Sequence, residues 1–222
     1  RNDSHSTNHL SDSTSTGSAT GKVGNAADFE SSDNNFLSVA SSAALQAGDG
    51  NFTVTFWCNF ESKSNTMTPV SKYNATSNQR EWLADFDQPT DRLRFGASSN
   101  GQSGTLTIVS ADNFGSPSIN TWYFIVWWHD AANDLIGIQV NNGTMNTASH
   151  AGGAFASSAS FQIGRRGTES ATDMDGLVDE VGFWKRILTA DEKTALYNGG
   201  NGRTYPFSQA AKAYYYRMMQ GN

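Results

Sequence analysis

The chain has 222 residues, of which 37% are hydrophobic and 12% aromatic, which is enough apolar material for a packed interior and too much for a disordered chain. Only 16% of the residues are charged and the formal net charge is −6, so the basic face that a general nucleic-acid binder needs is not indicated. No apolar run approaches about 18 residues, which argues against a membrane-spanning helix.

The N-terminal region is polar. Residues 1–35 are rich in Ser, Thr, Asn, Asp and Gly, a composition typical of a linker or an extended arm. We assign residues 1–20 to a polar N-terminal arm and residues 21–207 to one folded domain. The only cysteine, Cys58, excludes an internal disulfide, and its apolar surroundings predict a small buried hydrophobe. A secreted chain without disulfides fits a bacterial or viral source.

Beyond the arm, the pattern changes to short strands separated by polar turns. The clearest strand is Phe52–Phe60, in which every second residue is apolar. The segment Trp122–Trp128 is apolar on both faces and predicts a central strand that is covered on each side. The remaining predicted strands are, in chain order, Phe36–Val39, Thr68–Tyr73, Glu81–Phe86, Arg92–Ala97, Thr105–Ser110, Leu135–Val140, Phe161–Arg165 and Leu177–Trp184.

The spacing of these strands and their Gly-containing turns predict an all-β, antiparallel sandwich rather than βαβ units. One helix is predicted, near Ala190–Asn198. Thr189 and Glu192 have the spacing of a capping box at its start, and Gly199 follows its end.

The C-terminal tail, residues 208–222, is aromatic and basic. It contains three consecutive tyrosines and two methionines, which would be poorly solvated after a finished domain. We therefore predict that the tail binds a protein partner or another subunit through Tyr214, Tyr215, Tyr216 and Met218. The alternative is an ordinary surface tail.

Near the end of the predicted domain, the sequence resembles a known family. Asp175–Trp184, Arg186–Glu192 and Leu196–Gly200 are similar to the closing strand and short helix of laminin-G-like and pentraxin-like jelly rolls. These jelly rolls belong to the concanavalin A-like lectin/glucanase superfamily.

Three further segments carry the same resemblance. Gly21–Phe29 resembles the family's opening G-K-x-G-x-A-x-x-F, Phe52–Trp57 resembles its F-T-V-S-F-W strand, and Trp122 stands where a family strand begins. The resemblance implies an all-β, two-sheet jelly-roll sandwich with one short C-terminal helix. It also leads us to expect that Asp179 or Glu180 accepts hydrogen bonds from the Gly-rich opening. The fold does not specify a function, since lectins, glycosidases, adhesion modules and virion proteins all use it.

Carbohydrate binding uses exposed aromatic faces flanked by amide and charged groups. The predicted loops and strand ends around residues 73–85 supply such groups. We predict a ligand-binding set of Tyr73, Asn78, Arg80, Trp82 and Asp85. For each aromatic side chain alone, packing in the core or on a sheet is the alternative.

Catalysis is disfavoured. The resemblance to the superfamily's glycosidases implies an E-x-D-x-(x)-E strand, and no such string occurs. Asp85 and Asp87 form an alternative carboxylate pair, and Asp173, Asp175 and Asp179 share strand parity, but turn chemistry explains both sets. We predict no catalytic residue and no enzyme.

The family often binds calcium, so the resemblance implies one structural calcium ion as the only cofactor. We expect it near Glu30, Asp33 and Asp179, with a plain hydrogen-bond network as the alternative. The paired-calcium site of pentraxins is not expected, because Gln79–Arg80 and Arg165–Glu169 stand where that site has its acidic and amide groups.

These features favour a non-enzymatic lectin-like module that is a structural, decoration or attachment component of a surface assembly, above all a virion. The first alternative is a secreted or cell-surface carbohydrate-binding domain, and the second is a glycoside hydrolase or lyase. The expected partners are other protein subunits and cell-surface glycans, with no nucleic acid and no membrane insertion. The expected location is extracellular or on a virion surface.

Overall fold

In the computed structural model, which describes residues 7–204, fourteen strands form two antiparallel sheets. In chain order they are β1 (Ser11–Asp12), β2 (Gly17–Thr20), β3 (Asn25–Phe29), β4 (Leu37–Val39), β5 (Phe52–Phe60), β6 (Met67–Asn74), β7 (Gln79–Asp87), β8 (Arg92–Gly101), β9 (Leu106–Ser110), β10 (Trp122–Asp130), β11 (Leu135–Val140), β12 (Asn146–Ser149), β13 (Phe161–Ile163) and β14 (Gly176–Trp184).

Each sheet has seven strands. The front sheet has the order β1-β4-β13-β6-β7-β8-β9, and the back sheet has the order β12-β11-β10-β5-β14-β3-β2. Each sheet combines consecutive strands, such as β6-β7-β8-β9 and β10-β11-β12, with pairs that are far apart in sequence, such as β4-β13 and β5-β14, as in a jelly roll. All pairs are antiparallel. The predicted all-β jelly-roll sandwich is confirmed.

The main core lies between the sheets. Alternation along β5 turns Phe52, Val54, Phe56, Cys58 and Phe60 inward, and each of these side chains is 0% exposed. This matches the alternation read from the sequence. Burial of one such large side chain is worth about 1.5–3 kcal/mol, so this strand alone is a substantial part of the driving force.

The neighbouring strand β10 is buried on both faces. Ile125 and Trp127 belong to the core between the sheets, whereas Phe124 and Val126 belong to a second apolar cluster on the outer face of the back sheet. Leu188 and Leu196 cover that cluster. The predicted central strand with cover on each side is confirmed.

The cover comes from helix α1 (Ala190–Tyr197) and the segment before it. The Thr189 hydroxyl accepts from the Glu192 amide, and the Glu192 carboxylate accepts from the Thr189 amide, so the predicted capping box is present. Asn198 ends the helix in the left-handed conformation with φ of 50°. Among the described residues, no helix is long and apolar enough to cross a membrane.

The N-terminal residues contribute more to the sandwich than the predicted arm, residues 1–20, allowed for. Ser11–Asp12 pairs with β4 at the edge of the front sheet, and Gly17–Thr20 pairs with β3 at the edge of the back sheet. The Asp12 carboxylate also accepts from the Thr16 amide at 2.9 Å and so holds the turn between the two strands. Backbone pairing needs no apolar side chain, which is why a polar composition concealed these edge strands.

Candidate functional site

Three predicted ligand residues meet on the outer face of the front sheet, where β6 pairs with β7. The Arg80 guanidinium donates from Nε to the Tyr73 hydroxyl at 3.1 Å and from Nη1 to Asn78 Oδ1 at 2.8 Å. Tyr73 and Arg80 are buried, whereas Asn78 is exposed at the turn. The structure therefore brings together a phenol, a guanidinium and an accessible amide.

Asp85 joins this group through a second arginine. The Arg166 guanidinium lies 5.5 Å from the Tyr73 ring centre, and its Nη1 is 3.7 Å from Asp85 Oδ2. Arg94 binds Asp85 with two hydrogen bonds of 3.0 and 2.7 Å. Burial raises the pKa of the Asp85 carboxyl, although both arginines oppose the shift. We call Tyr73, Asn78, Arg80, Asp85 and Arg166 the front-face cluster.

Arg166 was not among the predicted ligand residues. It reaches the front face because Gly164 and Met174 close a loop between them, with the Met174 amide donating to the Gly164 carbonyl at 2.8 Å. The loop passes along β6, where the Ser71 hydroxyl donates to the Arg165 carbonyl at 2.8 Å. The adjacent Arg165–Arg166 pair was the available signal, but sequence could not show which sheet the loop crosses.

Trp82 lies on the opposite side of the same strand. It is 0% exposed and packs in the core against Phe52, Phe161 and Phe183, with ring-centre distances of 5.6–6.3 Å. The predicted presentation of Trp82 to a ligand is therefore corrected. The physical reason is strand parity: Trp82 shares its face with Phe86, which also packs in the core, whereas Asp85 points the other way.

An acidic cluster lies at one end of the back sheet, where β3 and β5 end and β14 begins. Oxygen atoms of Asp28, Glu30 and Glu61 lie within 4.8 Å of one another. Burial and the charges of neighbouring carboxylates, including Asp175, raise the pKa values of Glu30 and Glu61. The strand register explains the convergence, since β14 lies between β3 and β5 and pairs Gly176 with both Phe29 and Phe60.

Only one residue of the predicted calcium set, Glu30, belongs to this cluster. Asp179 is instead a hydrogen-bond acceptor for the Gly-rich opening, because its Oδ2 accepts from the Val23 amide at 2.8 Å and its Oδ1 accepts from the Glu180 amide at 2.9 Å. This confirms the expected contact with the opening and moves Asp179 out of the ion site. Asp33 contributes only a nearby negative charge to Glu30.

The residues of the acidic cluster fit an oxygen-seeking cation. Asp28 Oδ1 is a buried atom with no hydrogen-bond partner in the described part of the chain, and repulsion with Glu30 and Glu61 is uncompensated there. Carboxylate oxygens are what Ca²⁺ prefers in proteins. Asp28, Glu30 and Glu61 could therefore hold a calcium ion, with Asp175 as a further negative charge nearby.

The carboxylates considered for catalysis are engaged in structural contacts. Asp85 and Asp87 both bind Arg94, and the Asp173 carboxylate forms an ion pair with Arg165. The Asp87 carboxylate also accepts from the Thr90 amide at 3.2 Å, which fits the turn interpretation given for this pair.

A cavity of about 240 Å³ on the outer face of the back sheet was not anticipated. Its lining includes aromatic side chains, a carboxylate and a guanidinium. The lining residues are Thr55, Trp57, Phe124, Glu180, Val181, Gly182, Trp184, Leu196, Arg203 and Thr204. The signal available in the sequence was Trp57, an aromatic residue on the polar face of an alternating strand.

The predicted partner-binding residues Tyr214, Tyr215, Tyr216 and Met218 lie outside the residues that the structure describes. Their role stays a prediction.

Several solved structures share this fold. A native heptameric SAP-like pentraxin from Limulus polyphemus aligns with a TM-score of 0.54 and 18% identity, over 70% of this chain and 74% of the pentraxin. Domain 4 of AbnA, an extracellular GH43 arabinanase of Geobacillus stearothermophilus solved with arabinotriose, aligns with a TM-score of 0.60 and 16% identity, over 85% of this chain and 82% of that domain.

A third similar structure is the binding domain of Paraclostridial Mosquitocidal Protein 1, with a TM-score of 0.68 and 13% identity. The alignment covers 87% of this chain but only 48% of the toxin fragment, so the chain spans about half of that relative's length. At these identities the three likenesses show the fold alone. No curated protein matches the sequence significantly.

A family model gives the assignment directly. The laminin-G-type model of the concanavalin A-like lectin/glucanases superfamily matches residues 31–192, which is most of the described chain and includes the closing strand β14 and the first residues of helix α1. The chain belongs to the laminin-G-like family of the concanavalin A-like lectin/glucanases superfamily.

Proposed function

We propose that the chain is a non-enzymatic, glycan-binding lectin module that acts as an attachment or decoration component of a surface assembly, such as a capsid-decoration, fibre or tail protein of a virion. The observation that carries the binding role is the front-face cluster, in which two arginines flank one tyrosine beside an exposed amide. Sugar hydroxyls are recognised by such combinations of planar donors, amides and carboxylates.

Rigidity supports this choice of site. Arg80 is fixed by Tyr73, Asn78 and the Gly101 carbonyl, and Arg166 is fixed by Glu169 at 2.9 Å. Groups that are held before the ligand arrives lose little conformational entropy on binding. The front-face cluster is therefore built as a stiff polar surface on paired strands.

A glycan array tests the binding role. The full chain is expected to bind a defined set of glycans, and Asn78→Ala and Arg166→Ala are each expected to weaken that binding about tenfold or more, which corresponds to about 1.4 kcal/mol. Arg186→Ala is the matched control, because Arg186 is an exposed arginine near the helix. Binding that both front-face variants retain, or no binding to any glycan, contradicts the proposal.

We also propose one structural calcium ion at Asp28, Glu30 and Glu61. Neutralising three converging carboxylates should stabilise this end of the back sheet, by about 1–3 kcal/mol at saturating calcium. The free energy of unfolding is measured by urea titration in millimolar calcium and in EDTA. Glu61→Gln should remove the difference, while Asp33→Asn should keep it.

Repeating the glycan array in EDTA separates the two roles of the ion. If glycan binding survives EDTA, the ion contributes only to the stability of the fold. If glycan binding is lost while the chain stays folded, the ion takes part in the ligand site. An unfolding free energy that is equal in calcium and EDTA rules out the calcium site.

The assembly role rests on composition: a single cysteine and an aromatic tail containing Tyr214, Tyr215, Tyr216 and Met218. Replacing the three tyrosines with serine is expected to reduce association with partner subunits, as measured by size and by copy number on the particle. A chain that binds glycans but has no particle-associated copies is the secreted or cell-surface lectin of the alternative.

An enzymatic role has one specific consequence. If the chain cleaves glycans, turnover should be measurable on the array's bound glycans and should disappear in Asp85→Asn or Asp175→Asn. We expect no turnover, because both carboxylates of the Asp85–Asp87 pair are held by Arg94.

A further inference from the structure

Two buried histidines lie side by side at one end of the sandwich. His129, on β10, is 0% exposed, and His150, which follows β12, is 2% exposed. Their ring centres are 5.6 Å apart at an interplanar angle of 80°, and Phe52 stacks on the other side of His129 at 5.7 Å. Neither ring is used by the front-face cluster or by the acidic cluster.

The hydrogen-bond partners fix which nitrogen of each ring carries the proton. A carbonyl oxygen only accepts, so His129 donates from Nδ1 to the Gly50 carbonyl at 2.8 Å, and His150 donates from Nε2 to the Gly153 carbonyl at 2.9 Å. His150 Nδ1 then accepts from the Thr107 hydroxyl at 2.9 Å. In the described part of the chain, His129 Nε2 is buried and has no partner. Each carbonyl therefore fixes one ring N–H: Nδ1–H of His129 and Nε2–H of His150.

The two carbonyl acceptors belong to two loops, residues 40–51 and 150–160, which we call the loop pair. The loops are joined by Gln46, whose amide donates to the Ser157 carbonyl at 3.1 Å. Both are also held by Glu81, which accepts from the Ala47 amide at 2.8 Å and from the Ser157 amide at 3.0 Å. The loop pair closes the end of the sandwich through a small number of buried polar contacts.

The charged groups around the histidines are few. Asp49, on the first loop, and Asp134, in the turn after β10, favour the charged form of His150, whereas His129 opposes it. Burial outweighs them and lowers the pKa of His150. The nearby Lys72 and Glu81 are both fully buried and neutralise one another at 2.9 Å.

We propose that the loop pair opens on acidification: a proton taken up by His150, whose ring lies against the buried His129, releases residues 40–51 and 150–160 from the end of the sandwich while the two sheets stay paired. Charging His150 while the loops stay closed would place a cation in a buried site against the His129 ring, away from water. Opening the loops gives both rings access to water and removes this cost.

The pH dependence of loop opening follows from the linkage between proton binding and conformation. In the open loops a histidine binds a proton below about pH 6.5, whereas in the closed state the lowered pKa of His150 prevents this. The closed state is therefore fully favoured above that pH and loses stability as the pH falls below it. Each pH unit in this window shifts the opening equilibrium by up to about tenfold for one histidine.

Hydrogen exchange on the full chain tests the proposal. After correction for intrinsic exchange rates, amides of the loop pair, such as those of Ala47 and Ser157, are expected to exchange about tenfold faster at pH 5 than at pH 7.5. Amides in the centres of β5 and β10 should not change. Equal protection of the loop pair at both pH values overturns the proposal, and so does an equal loss of protection in the central strands.

A conservative variant isolates the histidines. His129→Asn keeps a donor near the position of Nδ1, and His150→Gln keeps a donor near the position of Nε2, so the double variant should retain both carbonyl contacts. It is expected to show the protection of the natural chain at pH 7.5 and no response to acid. A response equal to that of the natural chain overturns the proposal.

If the double variant does not fold, the proposal can still be tested on the natural chain alone. Long-range nitrogen–proton NMR spectra at pH 7.5 are expected to show the Nδ1–H tautomer of His129 and the Nε2–H tautomer of His150. A doubly protonated ring at that pH overturns the proposal.

Discussion

The outer faces of the two sheets are protected from water in different ways. On the front sheet, Asp85 is 0% exposed because Arg94 and Arg166 cover it with charged groups that remain partly in solvent. On the back sheet, Trp57 is 2% exposed because helix α1 covers it with apolar and aromatic side chains.

The comparison teaches that strand alternation alone does not set the chemistry of an outer face. The back face is covered by a few apolar side chains from the helix and the segment before it, such as Leu188 and Leu196, and these suit aromatic neighbours. The loop that carries Arg166 instead provides separate charged groups and suits ion pairs. The polar front face is consequently the one we propose for glycan binding, and the apolar back face is the one that stabilises the fold.

The largest effect is expected on the back face. Trp57→Ala should lower the free energy of unfolding by about 3–5 kcal/mol, because it removes a buried ring that packs on Phe124 and Tyr197. Urea denaturation measures it, and Trp57→Phe serves as the control that keeps part of the packing. A loss below about 1 kcal/mol would contradict the prediction that packing of the helix on Trp57 stabilises the fold.

On the front face, Asp85→Ala is expected to cost about 2–3 kcal/mol, since Arg94 and Arg166 lose the buried acceptor between them. Asp112→Ala is the matched control, because Asp112 pairs with Arg92 while its own side chain is 70% exposed. The control should change stability by less than about 0.5 kcal/mol. Equal effects in both variants would mean that the front face is held by packing rather than by charge.

The helix start offers a smaller test of the back face. Thr189→Ala should cost about 1 kcal/mol, because the Glu192 amide loses its capping acceptor. Thr189→Ser, which retains the hydroxyl, should cost much less. If both substitutions are neutral in urea denaturation, the cap does not limit the stability of the cover.

The smallest expected effect is the pH dependence of the Arg186–Glu192 pair. The hydrogen bond from Arg186 lowers the pKa of Glu192 to about 2. The pair's contribution to stability is therefore present above about pH 4.5 and is lost as the pH falls towards 2. It should be below about 1 kcal/mol, because Arg186 is 52% exposed. Glu192→Gln should remove this part of the acid dependence in pH-resolved urea titrations, and an unchanged profile contradicts it.

The alternation of side chains along β7 can be read from the sequence, and it would have assigned Trp82 to the core. Trp82 and Asp85 are an odd number of positions apart on β7, so they cannot share a face, and Phe86 shows which face is inward. The same parity would place Arg80 on the face of Trp82. Arg80 instead contacts Tyr73 on the face of Asp85 because the register of β7 shifts between Arg80 and Trp82, an irregularity that the sequence does not reveal.

The acidic cluster needed the tertiary structure. Asp28, Glu30, Glu61 and Asp175 come from three segments, and they meet because β14 lies between β3 and β5 in one register. A shift of that register would separate them. Local spacing instead pointed to Asp33, which is close to Glu30 in sequence but does not belong to the group of converging oxygen atoms.

The sequence by itself determined ten of the fourteen strands, the capped helix and the two-faced burial of β10, because alternation and capping are local patterns that leave a trace in neighbouring residues. Only the tertiary structure decided which loop covers the front sheet, which carboxylates converge and that His129 meets His150. Those contacts join residues whose separation along the chain carries no periodic signal, and they exist only once the order and register of the strands are set.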